Sequence, residues 1–148
     1  MELETRYNRI IQIEDSEIIE FPQGIPGFLE KKRYVLLRLS NESPFLILQS
    51  IDEVELAFIT ISPWDVFPKY DFEINQATEK ILKVKDVDDI LVTTICTIKD
   101  SIDSITVNLA APVVINFKKS LGKQVVLENN KYITKFLVFP EEKRQEAK

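Results

Sequence analysis

The residues that could do chemistry in this chain are few, and their types exclude most catalytic machinery. Histidine is absent from the 148 residues, and cysteine occurs once. Without imidazole the chain lacks the commonest general base and the commonest metal ligand, and a single thiolate cannot form a zinc site of the usual kind. Three scattered glycines supply no phosphate-binding loop. We therefore expect no enzymatic activity, no cofactor and no metal.

Two acidic clusters are the remaining candidates for chemistry. The segment 86–89 (DVDD) starts like a calcium loop but lacks the glycine and the terminal glutamate of that motif. The segment 14–17 (EDSE) has a similar composition. Nothing in the sequence places a carboxylate pair across a cleft, as glycosidase acid–base chemistry requires. Both clusters are therefore interpreted as solvated turns, the first of them entering a strand that begins at Ile90.

The single cysteine and the character of the first residues bear on the compartment. Cys96 lies within an apolar run and is interpreted as a small buried hydrophobe rather than a nucleophile. It can form no internal disulfide, as is usual in a reducing compartment. The start of the sequence has no basic and apolar signal-peptide pattern, and no apolar run approaches the ~20 residues of a membrane helix. These features predict a cytoplasmic protein with no membrane segment.

The charge of the chain favours some partners over others. The net charge is −5, and residues 40–110 carry thirteen acidic against five basic side chains, whereas residues 111–148 carry four acidic against eight basic ones. Because nucleic-acid affinity comes largely from neutralising phosphates with Lys and Arg, direct nucleic-acid binding is disfavoured. An acidic middle segment instead predicts a basic partner.

The elements that would position these groups are mostly short strands. Apolar and β-branched runs bounded by turn residues predict strands at 34–39, 45–50, 56–61, 90–98, 105–109, 113–117, 124–127 and 132–139, and one more between 3 and 13. Asn75 is predicted to cap a short helix over 76–82, and Pro63 begins one further turn. The sequence therefore predicts a mostly β, small antiparallel β-barrel-like single domain with one or two short helices, over residues 1–140. Residues 141–148 are predicted to form a charged, flexible tail.

Glycine and aromatic positions add detail. Pro26 and Gly27 predict a type II turn, and Gly122 is interpreted as the bend of a hairpin. The aromatic side chains near 63–70 leave two interpretations open: a core plug beneath a loop, or an aromatic docking surface.

Four ordered segments carry a family resemblance. They are residues 21–28 (FPQGIPGF), 43–50 (SPFLILQS), 106–116 (TVNLAAPVVIN) and 121–126 (LGKQVV), with Tyr132 following. In this order and spacing the chain resembles the FliW family of flagellar assembly factors from near its start to about residue 139.

The resemblance implies a function that residue chemistry alone does not give. FliW-like proteins have a small β-barrel-like fold and bind the dimeric translational repressor CsrA, antagonising it without competing for its RNA surface. They also bind flagellin, which couples flagellin synthesis to export. We add the hypothesis that docking brings carboxylates beside the RNA groove of CsrA and repels phosphate. The acidic residues proposed for this role are Glu42, Asp52, Glu53, Glu55, Asp65, Asp71 and Glu73.

Candidate partner-binding residues come from the same four segments. They are Phe28, Gln49, Asn108, Asn116 and Gln124. For the segment from Asn108 to Asn116 two interpretations stand: a structural strand crossing whose asparagines bond local backbone, or an edge available to a partner segment.

Rival functions remain open at this point. One is a dedicated cytoplasmic flagellin chaperone without a regulatory role. Another is a small enzyme or an oligonucleotide-binding barrel of similar topology, against which the missing histidine and the acidic balance argue.

Overall fold

The computed structural model describes residues 1–7, 9–128 and 131–139 and is mostly β. Its strands are β1 (Glu2–Glu4), β2 (Ile10–Gln12), β3 (Ile19–Glu20), β4 (Arg33–Arg38), β5 (Phe45–Ser50), β6 (Ala57–Ile61), β7 (Ile90–Thr97), β8 (Thr106–Val107), β9 (Val113–Asn116), β10 (Leu121–Gln124) and β11 (Phe136–Leu137). The helices are α1 (Pro63–Val66) and α2 (Gln76–Leu82), and short 3-10 turns cover Asp15–Glu17, Val87–Asp89 and Ile102–Ser104. The charged, flexible tail predicted for residues 141–148 lies outside the described residues.

Seven of these strands close into a barrel. Their order is β7-β6-β5-β4-β3-β10-β9, and β9 pairs back onto β7. Neighbours are antiparallel except β3 and β10, which run parallel with Leu121 opposite Glu20. The strands β8 and β11 extend the sheet from the end of β7. The predicted β-barrel-like fold is therefore confirmed, with one parallel pair that the sequence did not indicate.

The barrel interior follows from the period-two pattern of its strands. Tyr34, Leu48, Val113 and Ile115 point inward and pack with Phe21, and all five side chains are buried. The ring of Phe21 meets that of Tyr34 edge-on at 5.2 Å between centroids. Since alternate residues of a strand face opposite sides, each barrel strand contributes its other set to a second layer outside.

The outer layer contains α2 and the segment before it. Leu82 of α2 packs with Val114 and Val125 on the outer face of β9 and the chain after β10. The helix begins as predicted, since Asn75 accepts a hydrogen bond from the Thr78 amide at 2.8 Å. This layer covers part of the outer face of β7 and leaves the rest open.

The two turn predictions have different outcomes. Phe28 N donates to Ile25 O at 2.7 Å and Gly27 has a φ of 90°, so the predicted type II turn is confirmed. The prediction of a hairpin bend at Gly122 is wrong, and the strand predicted over 124–127 lies three residues earlier, at Leu121–Gln124. Gly122 lies inside β10 opposite Ile115, and the chain turns earlier, where Ser120 takes a left-handed φ of 55°.

The first residues form a hairpin rather than one strand. Leu3 of β1 pairs with Ile11 of β2, and the buried Leu3 and Ile13 pack on Val35 of β4. In the described part of the chain, no helix has the length and apolar character needed to cross a membrane.

Candidate protein-binding surfaces

A groove of about 390 Å³ opens at the end of the barrel where β6 begins and β7 ends. We call it the mouth groove. Its lining includes Pro26, Phe58, Thr97, Asn108, Gln124 and Lys135. The register of β6 and β7, with Thr60 opposite Ile95, places Phe58 and Thr97 side by side at this end. The groove therefore combines an aromatic floor with amide and ammonium groups.

Phe28, a predicted partner-binding residue, stands beside the mouth groove. Its ring meets that of Phe58 edge-on at 5.5 Å between centroids, and the type II turn at Pro26 and Gly27 fixes its backbone. The side chain is nevertheless 42% exposed, and Leu29 next to it is 59% exposed. Such a positioned aromatic with an adjacent aliphatic is typical of an interface anchor.

Asn108 and Gln124 line the same groove and are half-buried. Asn108 Oδ1 accepts a hydrogen bond from the Ala110 amide at 3.1 Å, and Gln124 Nε2 donates to the Ala111 carbonyl at 3.1 Å. These bonds orient both amides over the segment that leads into β9. The structure thus brings together three of the five predicted residues.

Gln49 is placed in the interior instead. It has no exposed surface, and its Oε1 accepts a hydrogen bond from the Arg6 amide at 3.0 Å. Its Nε2 donates to the carbonyls of Val54 and Leu56 at 3.0 and 3.3 Å. Gln49 therefore joins the first hairpin to the β5–β6 turn, and we give it a structural role.

Asn116 is likewise buried, with 1% of its surface exposed. Its Nδ2 donates to the Leu82 carbonyl at 2.8 Å, which ties the end of α2 to β9. Its Oδ1 accepts from the amides of Lys118 and Lys119 at 3.1 and 3.3 Å. Both asparagines bond local backbone, as the structural interpretation requires. That interpretation holds in full for Asn116, which is buried, whereas Asn108 also lines the mouth groove.

The seven acidic residues are all exposed but form two groups. Phe45 pairs with Ile61 and Gln49 with Ala57, so the β5–β6 turn and the segment after β6 lie at opposite ends of this ladder. Four steps of about 3.3 Å separate these ends by roughly 13 Å. The mouth end carries Asp52, Glu53 and Glu55, and the far end carries Glu42, Asp65, Asp71 and Glu73.

Asp52 differs from its neighbours because it is paired. Arg33 Nε donates to Asp52 Oδ2 at 3.3 Å, and a second bond joins the guanidinium to Oδ1. This hydrogen bonding lowers the pKa of Asp52 and raises that of Arg33. The pair cancels the charge of Asp52, so that Glu53 and Glu55 carry the net negative charge of these three residues.

A second groove, of about 670 Å³, lies at the far end beside Trp64, within the aromatic cluster for which a docking surface is one of the two predicted interpretations. We call it the Trp64 groove. Its apolar lining includes Trp64, Phe72, Val84, Val87, Ile90 and Val92. Its charged lining is Asp71, Glu73, Glu79 and Lys85. A further signal in the sequence is Val87, an aliphatic residue within an otherwise acidic turn, and it is 76% exposed.

Trp64 resolves the two interpretations of the aromatic cluster in part. Tyr70 is buried core, with 3% of its surface exposed, whereas Trp64 is 42% exposed. Trp64 Nε1 donates to the Tyr70 carbonyl at 2.8 Å, and the two rings meet edge-on at 5.9 Å. The indole is therefore held in place with a large part of its surface in solvent.

The groups that could do chemistry have structural partners. Burial raises the pKa of the Cys96 thiol to about 12. Asp86 caps the 3-10 turn by accepting from the Asp88 amide at 3.0 Å, and Asp89 pairs with Lys118 at 3.0 Å. The 86–89 cluster is therefore a turn entering β7, as predicted. Across residues 1–7, 9–128 and 131–139, no three His, Cys, Asp or Glu side chains are gathered as a metal site would need.

Comparison with known proteins gives consistent matches over most of the chain. The profile of the FliW protein family matches residues 2–138. The flagellar assembly factor FliW of Geobacillus kaustophilus (strain HTA426) is 45% identical over 141 residues, which are 95% of this chain and 97% of that protein. The protein of the same name from Bacillus subtilis (strain 168) is 42% identical over 135 residues, 91% of this chain and 94% of that one.

A solved structure agrees with these sequence matches. The crystal structure of a flagellar assembly factor FliW superposes with a TM-score of 0.88 at 43% identity, covering 96% of this chain and 99% of that one. The family profile, the identities and the shared barrel point the same way: the chain belongs to the FliW family.

Proposed function

We propose that this chain is a protein-binding regulator of flagellar assembly that acts in the cytoplasm without catalysing a reaction. It binds the repressor CsrA, antagonising it without occupying its RNA surface, and it binds flagellin. Flagellin synthesis is thereby coupled to export. Membership of the FliW family supports the flagellar role, and the identities of the two partners come from the resemblance of the chain to that family.

The observation that carries the proposal is the mouth groove with Phe28 beside it. Phe28 is both fixed, by its turn and by Phe58, and 42% exposed. A fixed aromatic loses little conformational freedom when a partner covers it, so its burial converts efficiently into affinity. Asn108 and Gln124 add oriented amides at the rim. This combination of apolar anchor and polar rim is typical of protein interfaces.

The acidic groups supply the proposed effect on RNA. Glu53 and Glu55 lie at the mouth end, and Asp71 and Glu73 at the far end. At physiological salt, exposed charges act over about 8 Å, so only the group that lies nearer the bound CsrA can repel its RNA. The charge-reversed variants below identify that group.

Complex formation with purified CsrA tests the first part. The wild-type chain and CsrA are expected to co-elute from a sizing column at micromolar concentrations. Phe28→Ala should weaken this complex at least tenfold, since central aromatic anchors are typical hot spots. Phe117→Ala is the matched control, because Phe117 is also an exposed phenylalanine, at 53%, but follows β9 at the far end. A wild-type chain that never co-elutes with CsrA would refute the proposal.

Flagellin distinguishes the regulator from the dedicated chaperone. For the regulator, adding purified flagellin should displace CsrA from the complex. A chain that binds flagellin at micromolar concentration but forms no complex with CsrA is the chaperone, and the regulatory proposal then fails.

Charge reversal tests the repulsion of RNA separately from binding. Two double variants are compared. One combines Glu53→Lys and Glu55→Lys, and the other combines Asp71→Lys and Glu73→Lys. One pair should reduce the release of a labelled RNA from CsrA, followed by fluorescence anisotropy, while the protein complex still forms on the column. If both variants release RNA as the wild type does, electrostatic repulsion is not the mechanism.

A further inference from the structure

We propose that the Trp64 groove binds a basic amphipathic helix of a partner protein. Its apolar face would lie on Trp64 and the outer face of β7, and its Lys or Arg side chains would reach the acidic rim. This inference rests on the proposed function in one respect, that the chain acts by binding proteins. It assigns a second contact surface, at the opposite end of β6 and β7 from the mouth groove.

The floor of the groove is an uncovered part of the outer layer. Ile90 and Val92 face outward from β7, while Leu91 between them packs with the barrel core. The α2 side of this surface is covered by Leu82 and its neighbours. On the other side Ile90 and Val92 still line an open groove. Phe72 and Val84 border Ile90 and Val92, so that side chains from three separate segments form this apolar surface. Such a surface suits the apolar face of a helix.

Trp64 provides a fixed anchor at one wall. The hydrogen bond from Nε1 to the Tyr70 carbonyl satisfies the one polar atom of the indole. The buried Tyr70 ring supports it from below. A partner can therefore cover the exposed indole surface without leaving a donor unsatisfied. Tryptophan is one of the residue types enriched among interface hot spots.

Val87 provides the opposite wall. Exposing its apolar side chain to water is unfavourable. Its position is set by the turn that Asp86 caps, and the amide of Phe117 donates to the Asp89 carbonyl at 3.2 Å to hold the end of that turn. A rigid turn thus keeps an aliphatic side chain 76% exposed beside an apolar groove. Covering it is favourable, since burial of apolar surface drives association.

The charge of the rim selects the sign of the partner. Among the residues that the structure describes, three carboxylates, Asp71, Glu73 and Glu79, line the groove against one ammonium group, Lys85. All four side chains are exposed, so they act over about 8 Å at physiological salt. A helix with lysines or arginines beside its apolar face complements this rim, whereas an acidic helix or a nucleic acid is repelled.

The only tryptophan of the chain lies in this groove, so its fluorescence reports binding there. The probe is a synthetic helical peptide of about four turns, with leucines along one face and lysines elsewhere. The matched control peptide has glutamates in place of the lysines. The lysine peptide should change Trp64 emission saturably at micromolar concentration, and the glutamate peptide should not.

Two pairs of variants localise the binding. The double variant that combines Asp71→Lys and Glu73→Lys should bind the lysine peptide at least tenfold more weakly than the wild type. The double variant that combines Glu53→Lys and Glu55→Lys makes the same change of net charge at the other end of β6. It should weaken binding of the lysine peptide less than twofold. Val87→Ser should weaken binding severalfold, while Ile102→Ser, also an exposed aliphatic residue at the start of a 3-10 turn, should not.

Three results would overturn the proposal. One is the absence of saturable binding of the lysine peptide. Another is equal weakening by the two charge-reversed variants, which would show general attraction to an acidic protein. The third is binding of a dye-labelled lysine peptide without any change at Trp64, which would place the site elsewhere. Because the titration contains neither CsrA nor flagellin, its failure leaves the sizing-column result untouched, and the reverse also holds.

Discussion

Gly122→Ala is expected to destabilise the barrel because β10 approaches the core at this residue. An added Cβ would lie 2.6 Å from Phe21 Cζ, well inside ordinary van der Waals contact. The ring has no exposed surface and rests against Tyr34, so it has little room to move. The backbone is equally constrained, since Gly122 pairs with Ile115 of β9 and its neighbour Leu121 pairs with Glu20 of β3.

The size of the effect follows from this geometry. Separating the two groups to a normal contact requires a shift of about 1 Å, and overpacking a tight core costs about 1–3 kcal/mol. For a slope of about 2 kcal/mol per molar urea, a loss of about 2 kcal/mol lowers the unfolding midpoint by about 1 M. In a thermal melt the same loss lowers Tm by about 4–8 °C for a chain of this size.

The assay is urea unfolding followed by circular dichroism, with a double-mutant cycle. Phe21→Leu removes the ring atoms that the new methyl group meets. The double variant should therefore be at least about 1 kcal/mol more stable than the sum of the single losses predicts. Two results would refute the reasoning: a Gly122→Ala variant as stable as the wild type, or strictly additive losses in the cycle.

Three further predictions concern local interactions. Asn75→Ala should lower the free energy of unfolding by about 1 kcal/mol, because the Thr78 amide loses its cap, and Asn75→Asp should keep most of it in the same urea assay. The Cys96 thiol, whose pKa is raised to about 12 by burial, should react with a disulfide reagent at pH 8 at least 100-fold more slowly in the native chain than in urea, since the thiolate is the nucleophile. Asp52→Asn should lower Tm slightly at pH 7, and this difference should vanish as the pH falls. Hydrogen bonding to Arg33 lowers the Asp52 pKa below its ordinary 3.8, so the stabilisation is present above that value and is lost as the pH falls through the folded-state pKa. Melts at stepped pH check the sign, and a constant difference down to pH 2 would contradict it.

The local elements were predictable where a few neighbouring residues decide them. Asn75, Pro63 and the pair Pro26 and Gly27 act through the backbone within four residues, and the structure agrees at each position. The alternating runs of β4 to β6 were also found at nearly their observed bounds, since the pleat alone sets their period.

The failures involve contacts between residues far apart in the chain. Gly122 was interpreted as a bend because its sequence gives no sign of Phe21, one hundred residues earlier. Gln49 and Asn116 are candidates for an interface only because they lie in the segments that carry the family resemblance. Their burial depends on backbone groups that only the folded chain brings within reach.

The candidate surfaces divide in the same way. Phe28, Asn108 and Gln124 were predicted from the segments that carry the family resemblance, and they converge at the mouth groove. The Trp64 groove has lining residues from positions 64 to 92. The aromatic cluster at 63–70 and the aliphatic Val87 mark two of its walls in the sequence. The opening between them arises where the outer layer stops short of the barrel wall, and that depends on the whole fold.

The parallel pair of β3 and β10 has a consequence for how the protein is made. Glu20 N bonds to Ser120 O at 2.9 Å, so the seam joins positions a hundred residues apart. On the ribosome, a nascent chain that has released β3 to β7 still has unpaired strand edges on both sides, because β9 and β10 have not emerged. Pairings of such long range form slowly, and open edges invite association with other chains. Each newly synthesised molecule therefore passes through a stage with two open strand edges. The barrel closes only if β9 and β10 pair with these edges before a strand of another chain does.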